Sequence, residues 1–304
     1  MAGPRRLPRA VLVLVAVVAG LALGVGIDVA RVGSIDGWLA GRGFVPGRTI
    51  DLPPYVAAGR TIDVGGRAVY LDCRGTGSPT VLLEAGFLAG ADSWGQVLDG
   101  VAAFSRVCAW DRPGIGRSAR RGLHSAGDAV ADLRAALDAA GEQGPFVIVA
   151  HSLGGVFARV MAATDERVVG LVMIDTYEPD LGMEHDPSLP VELRQQIQAA
   201  LDDTARSFLE GEDLDWPRTL DELDAAGVVR LPATLLFVNP ESRYVEPDPD
   251  RMATIVRAWH RAMAARYPTG HLEIVEGAGH LIHWDRPDLV LDRIHELVQR
   301  VRPA

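Results

Sequence analysis

Ser152 sits in VIVAHSLGGVFARV, residues 147–160, where a run of β-branched apolar residues gives way at once to a small-residue helical pattern. A strand that turns sharply into a helix through a serine exposes the hydroxyl at the sheet's carboxyl edge, in a strained backbone conformation. Small residues two positions to either side give such a turn room, and here they are Ala150 and Gly154. Glycine is usual where Ala150 stands, so the strand before and the helix after carry the reading more than the bare motif does. A serine that merely caps a helix is the plainer alternative. The hydroxyl is a weak nucleophile until a base accepts its proton. His280 is the candidate base, because it follows Gly277 and Gly279 at the end of strand-like HLEIVEG, where loops carry function. His283, three residues on, reads as structural, at a helix start. His185 lies between Glu184 and Asp186, but one histidine among carboxylates is the pattern of solvated surface, and no metal is expected.

The elements that must position these residues alternate. RAVYLDC, TVLLEAG, SRVCAWD, FVIVAHS, VVGLVMID, ATLLFVN and HLEIVEG read as strands. Between them lie helical stretches such as AGDAVADLRAALDAAG, which has apolar positions three and four apart and stops on Gly141. Such alternation implies a mostly parallel sheet covered on both faces. One connection, about 177–230, is much longer, acidic and interrupted by prolines. Its LPVELRQQIQAALDDTARSFLEG and WPRTLDELDAAGVV predict at least two helices, a structured cap over one edge of the sheet.

The 304 residues, 48% hydrophobic and 23% charged, suffice for one sizeable core. A net charge of -10, with no dense basic stripe, argues against a nucleic-acid partner. Residues 1–31 differ from the rest: Arg5, Arg6 and Arg9 precede an uncharged run from Ala10 to Ile27. That length is near the lower limit of about 17–25 residues for a membrane span. The reading is an export signal, either a cleaved signal peptide or a retained anchor, with the remainder outside the cytoplasmic membrane. Residues 32–60, rich in glycine and proline, read as a linker, and 61–304 as the folded domain. In an oxidising compartment the strand-borne Cys73 and Cys108 can stay bridged.

Over roughly residues 61–300 the chain resembles the α/β-hydrolase fold family. AHSLGG is similar to the nucleophile elbow in its alanine-first variant, EAGFLAGADSW to the loop after the third strand, DRPGIGRS to the turn after the fourth, and GAGHLIHWDRPDLV to the histidine loop and final helix. The resemblance implies an eight-stranded, mostly parallel sheet with helices on both faces and a helical cap between strands 6 and 7. It implies an oxyanion hole from the Phe87 and Leu153 backbone N–H groups, with Glu84 standing where relatives often carry histidine. For the acid it leaves two sites. The position after the seventh strand has Glu241 two residues before Arg243; Asp175, at the end of the sixth strand, is favoured. Because the second and fourth strands are neighbours in this fold, it also implies a Cys73–Cys108 disulfide, worth about 3–4 kcal/mol.

Relatives that open epoxides or dehalogenate attack with an aspartate, so Ser152 argues for acyl transfer through a serine ester. The expectation is hydrolysis of a carboxylic ester or related acyl compound, with no metal or organic cofactor. A peptidase, an acyltransferase or a non-catalytic ligand-binding protein of the same fold are the alternatives. The acidic cap favours a neutral small-molecule substrate, mildly, since physiological salt screens charge over about 8 Å. A membrane partner is expected only through the N-terminal segment, if it is uncleaved.

Overall fold

A computed structural model describes residues 55–239 and 249–302. Residues 1–31, on which the export-signal expectation falls, and Glu241 lie outside the described residues. Among those described, no helix is long and apolar enough to cross a membrane.

Eight strands form one sheet: β1 (Arg60–Asp63), β2 (Ala68–Arg74), β3 (Thr80–Glu84), β4 (Val107–Trp110), β5 (Phe146–His151), β6 (Val168–Ile174), β7 (Ala233–Val238) and β8 (Gly270–Val275). Their order is β1-β2-β4-β3-β5-β6-β7-β8. β2 is antiparallel to both β1 and β4, and the remaining pairs are parallel. β1 was not among the strands read from sequence. It begins at Arg60, the last residue assigned to the linker, and just before it Tyr55 donates its hydroxyl to Asp72 of β2.

The helices are α1 (Gly95–Ala102), α2 (Ala126–Ala140), α3 (Gly154–Thr164), α4 (Val191–Glu212), α5 (Trp216–Ala226), α6 (Pro249–Arg266) and α7 (Pro287–Val301), with a single turn at Ile282–Asp285. α2 starts at a reciprocal cap between Ser125 and Asp128, and it ends where its sequence predicts, at Gly141 in the left-handed region.

The central strands are apolar at nearly every position, Thr80, Glu84, His151 and Thr234 apart, because both faces are covered. Successive side chains alternate between two cores: Leu82, Ile148, Met173 and Phe237 enter one, and Val81, Val149, Val172 and Leu236 the other. Each such side chain contributes about 1.5–3 kcal/mol on full burial. A polar hydroxyl at the end of β5 is therefore carried on a support with little freedom to move.

Cys73 and Cys108 stand directly opposite each other on β2 and β4 and are joined by a disulfide, S–S 2.08 Å. The stretch between β6 and β7 folds into α4 and α5. α5 seats on the start of α2, where Glu222 accepts the Ser125 hydroxyl and the Gly127 N–H, and Thr219 accepts the Ala126 N–H.

Candidate active site

β5 and β6 end level with each other. His151 pairs with Ile174, so the next residues, Ser152 and Asp175, leave the sheet side by side. Both turn through the left-handed region, Ser152 at φ 53° and Asp175 at φ 45°. For a residue with a Cβ that conformation persists only where the surroundings impose it. Here they do so through the backbone. Ser152 N–H donates to the Ile174 carbonyl at 3.1 Å, and its own carbonyl accepts Gly155 N–H and Tyr177 N–H at 3.0 and 2.9 Å. Asp175 N–H donates to the Leu236 carbonyl of β7 at 2.7 Å. Gly154 is required by close approach: a Cβ there would run into the Glu84 carbonyl and lie 2.7 Å from that of Ala85.

Asp175 is 4% exposed. Its Oδ1 accepts Val238 N–H at 3.2 Å, and its Oδ2 accepts Nδ1–H of His280 at 2.6 Å. With Nδ1–H given to the carboxylate, Nε2 becomes the ring's proton acceptor. The loop after β8 that carries His280 is also held from below, because His151 Nε2–H donates to the His280 carbonyl at 3.0 Å. The two rings lie 4.7 Å apart, which brings the His280 imidazole beside the residue that precedes Ser152. The His283 ring packs tilted against His151 and Trp94, centroids 4.5 and 4.8 Å apart. Burial pushes His283 down to about 3, and burial with its histidine neighbours holds His151 well below the usual imidazole range. Both rings are neutral packing for His280, in accord with the structural reading of His283.

Neither Phe87 N–H nor Leu153 N–H donates to a protein acceptor among the described residues. Leu153 directly precedes α3, at the positive end of its dipole. The loop holding Phe87 is fixed by the turn after β4. Asp111 accepts Ala91 N–H at 2.7 Å. Arg112, 1% exposed, spends all five of its N–H groups. Nη1 donates to Glu84 at 2.8 Å and to the Ala85 carbonyl at 2.6 Å. Nη2 donates to the Gly86 carbonyl at 2.6 Å and to Glu212 Oε1 at 2.8 Å, and Nε to Glu212 Oε2 at 2.9 Å. Trp110 Nε1–H completes Glu84 at 2.7 Å. Burial pushes the Glu84 carboxyl up to about 7 against the pull of Arg112, and the flanking glutamates hold the Arg112 guanidinium firmly charged.

Asp175 and His280 are thus in direct contact next to Ser152, and the backbone N–H groups of Phe87 and Leu153 have no protein acceptor among the described residues. Glu212 was not anticipated: it ends an amphipathic helix, and nothing in its surroundings in sequence points to Arg112. His185 is exposed, 3.6 Å from Glu184. Among the described residues one trio brings metal-ligating atoms within 4.8 Å, Cys73, Cys108 and Glu142, but the two sulfurs are bonded to each other.

Comparison with known proteins agrees with this architecture. A protein of Schizosaccharomyces pombe is 47% identical over 73 residues, 23% of this chain and 14% of that protein. YqjL of Bacillus subtilis is 27% identical over 168 residues, 54% of this chain and 63% of YqjL. RutD of Azorhizobium caulinodans, whose name gives it provisionally as a carbamate hydrolase, is 36% identical over 114 residues, 36% of this chain and 42% of RutD. The matches therefore span less than two thirds of each relative's length. Among solved structures, an epoxide hydrolase variant of Vigna radiata superposes with a TM-score of 0.59 at 13% identity, over 80% of this chain and 98% of the other. An esterase of Thermogutta terrifontis gives 0.52 at 18%, over 82% and 100%. At such identities they speak for the fold. The model of the alpha/beta hydrolase family matches residues 81–293, well over half of the chain, and the protein belongs to that family.

Proposed function

We propose that the protein is a serine hydrolase that cleaves a carboxylic ester, or a related acyl compound such as a carbamate, through an acyl-enzyme. The observation that carries the reading is the 2.6 Å hydrogen bond from His280 to the buried Asp175, made beside a serine held in a left-handed turn. Ser152 Oγ attacks the acyl carbon and His280 Nε2 takes its proton. Asp175 fixes the tautomer and stabilises the imidazolium, a role whose loss costs about ten-thousandfold in the serine-protease template. The carbonyl oxygen becomes an oxyanion received by the Phe87 and Leu153 N–H groups, each such donor typically worth about a hundredfold to a thousandfold. His280 then returns the proton to the leaving alcohol. Water, deprotonated by the same base, attacks the ester of Ser152 and releases the acid. Glu241, on the segment after β7, has no part in this scheme.

The substrate is a small neutral acyl compound, consistent with the acidic α4–α5 insert. A peptidase or acyltransferase would use the same residues and is separated by substrate trials. RutD of Azorhizobium caulinodans, similar over part of the chain and provisionally a carbamate hydrolase, supports screening carbamates beside esters. We also read residues 1–31 as an export signal, a reading supported by the disulfide, since such bonds persist in oxidising compartments. N-terminal sequencing of the mature protein separates cleavage from anchoring.

A fluorophosphonate probe tests the central reading. Labelling of the wild type and none of Ser152→Ala is expected. Folded wild type that resists labelling would make the protein a ligand binder instead. A series of p-nitrophenyl esters of increasing chain length then sets the acyl preference.

A further inference from the structure

The last turn of α4 meets the loop after β3 in a way that no step of the proposed reaction uses. Leu88 is not a glycine, yet it lies at φ 54°, and its N–H donates to Glu212 Oε1 at 2.7 Å. Glu212 is 124 residues further along the chain, is fully buried, and also takes two N–H groups of Arg112. One residue earlier, Gly211 faces the Phe87 ring so closely that a Cβ would lie 2.7 Å from Cε2. The same ring packs on Phe208 of α4, centroids 5.1 Å apart.

These contacts bracket one residue. The peptide before Phe87 is oriented by Arg112, which binds the Gly86 carbonyl; because a trans peptide is planar, the Phe87 N–H must then point away from Arg112. The peptide after Phe87 is oriented by Glu212, which binds the Leu88 N–H. The side chain between them rests on Phe208 and Gly211. Arg112 comes from the main domain, whereas every other part of the bracket belongs to α4. Fixed donors favour a developing oxyanion over a ground-state carbonyl only while they cannot reorient.

We propose that Glu212 is a positioning residue, through which α4 holds the Phe87 N–H in register for the oxyanion, so that the hole is complete only with the cap seated. The proposal rests on the serine-hydrolase reading above. Glu212 touches neither the substrate nor the reacting atoms.

The test compares the full chain with Glu212→Ala, Glu212→Gln and Gly211→Ala, using p-nitrophenyl butyrate as substrate and an alkyl trifluoromethyl ketone as oxyanion analogue. Loss of the bracket should lower kcat of Glu212→Ala by about 10- to 100-fold, weaken the ketone by a similar factor and leave KM within about twofold. Glu212→Gln keeps an oxygen for the Leu88 N–H but turns an NH2 towards Arg112 Nε–H, so its kcat should lie between those of Glu212→Ala and wild type. Gly211→Ala displaces the Phe87 ring and should lower kcat in the same direction. A folded Glu212→Ala with kcat within about twofold of wild type overturns the proposal. So does a loss confined to KM with unchanged ketone affinity. Should Glu212→Ala fail to fold, wild-type kcat in both other variants overturns it. Wild type that neither hydrolyses the ester nor takes the fluorophosphonate overturns the serine-hydrolase reading and this proposal together, whereas an active wild type with indifferent variants removes this proposal alone.

Discussion

The carboxyl edge of the sheet and the seam beneath α4 hold their side chains by different means. At the edge, Ser152 and Asp175 are fixed by main-chain hydrogen bonds to β6 and β7, each made by residues adjacent in the sheet. At the seam, the Phe87 loop is fixed by a charged fork, Arg112 between Glu84 and Glu212, with partners 28 and 100 residues away. The edge is a product of the fold's regular register and is held chiefly by backbone groups. The seam depends on particular ionised groups, so single substitutions can dismantle it.

The largest effect separating the two should come from the edge. Asp175→Asn is expected to lower kcat by about ten-thousandfold with little change in Tm, while Glu241→Gln leaves kcat near wild type. The reverse ranking in ester turnover would move the acid to the segment after β7. The seam should respond the other way, in stability first. Arg112→Met strands two buried carboxylates and should cost about 3–5 kcal/mol in urea unfolding; a loss below about 1 kcal/mol would show the fork to be dispensable. The disulfide calibrates both. Cys73→Ser with Cys108→Ser opens a link between residues 35 apart, on strands away from Ser152. It should cost about 4 kcal/mol of stability and leave kcat unchanged.

The smallest expected effect is one of acid response, and its sign differs between the regions. His283, below the edge, is held down to about 3 from its ordinary 6.5. The unfolded chain therefore binds a proton that the fold refuses, and stability from this group is lost as pH falls below about 6.5, by at most about 1.4 kcal/mol per pH unit. Glu84, in the seam, is raised from 4.5 to about 7. The fold holds its proton more tightly than the unfolded chain, so its contribution is full below about 4.5 and is lost as pH rises towards about 7. Urea midpoints between about pH 7 and pH 5 should fall less steeply for His283→Phe than for wild type, and more steeply for Glu84→Gln. Parallel lines for all three proteins would refute both assignments.

The edge was largely legible in the sequence because its signals are local. Ser152 announces itself by a strand that stops and a helix that starts, and His280 by glycines after a strand. Asp175 needed the family resemblance, since an aspartate at a strand end also suits a helix cap. The two helices between β6 and β7 followed from periodicity, and α2 from its apolar spacing and terminal glycine. The seam was not legible. Arg112 was seen only as part of a turn and Glu212 only as one more acid in the long acidic connection, because their partnership exists in space and leaves no period or spacing. β1 escaped for a related reason: four residues, RTID, with one of the four buried, carry too little alternation to stand out.

Arg112 offers five hydrogens to five acceptors, and that stoichiometry restricts what can stand at position 112. An ammonium head has three hydrogens converging on one atom, so a lysine could make at most three of these five bonds and could not match their planar spread. Position 112 is thereby closed to the other cation of equal charge, and the loop it grips inherits a dependence on guanidinium shape.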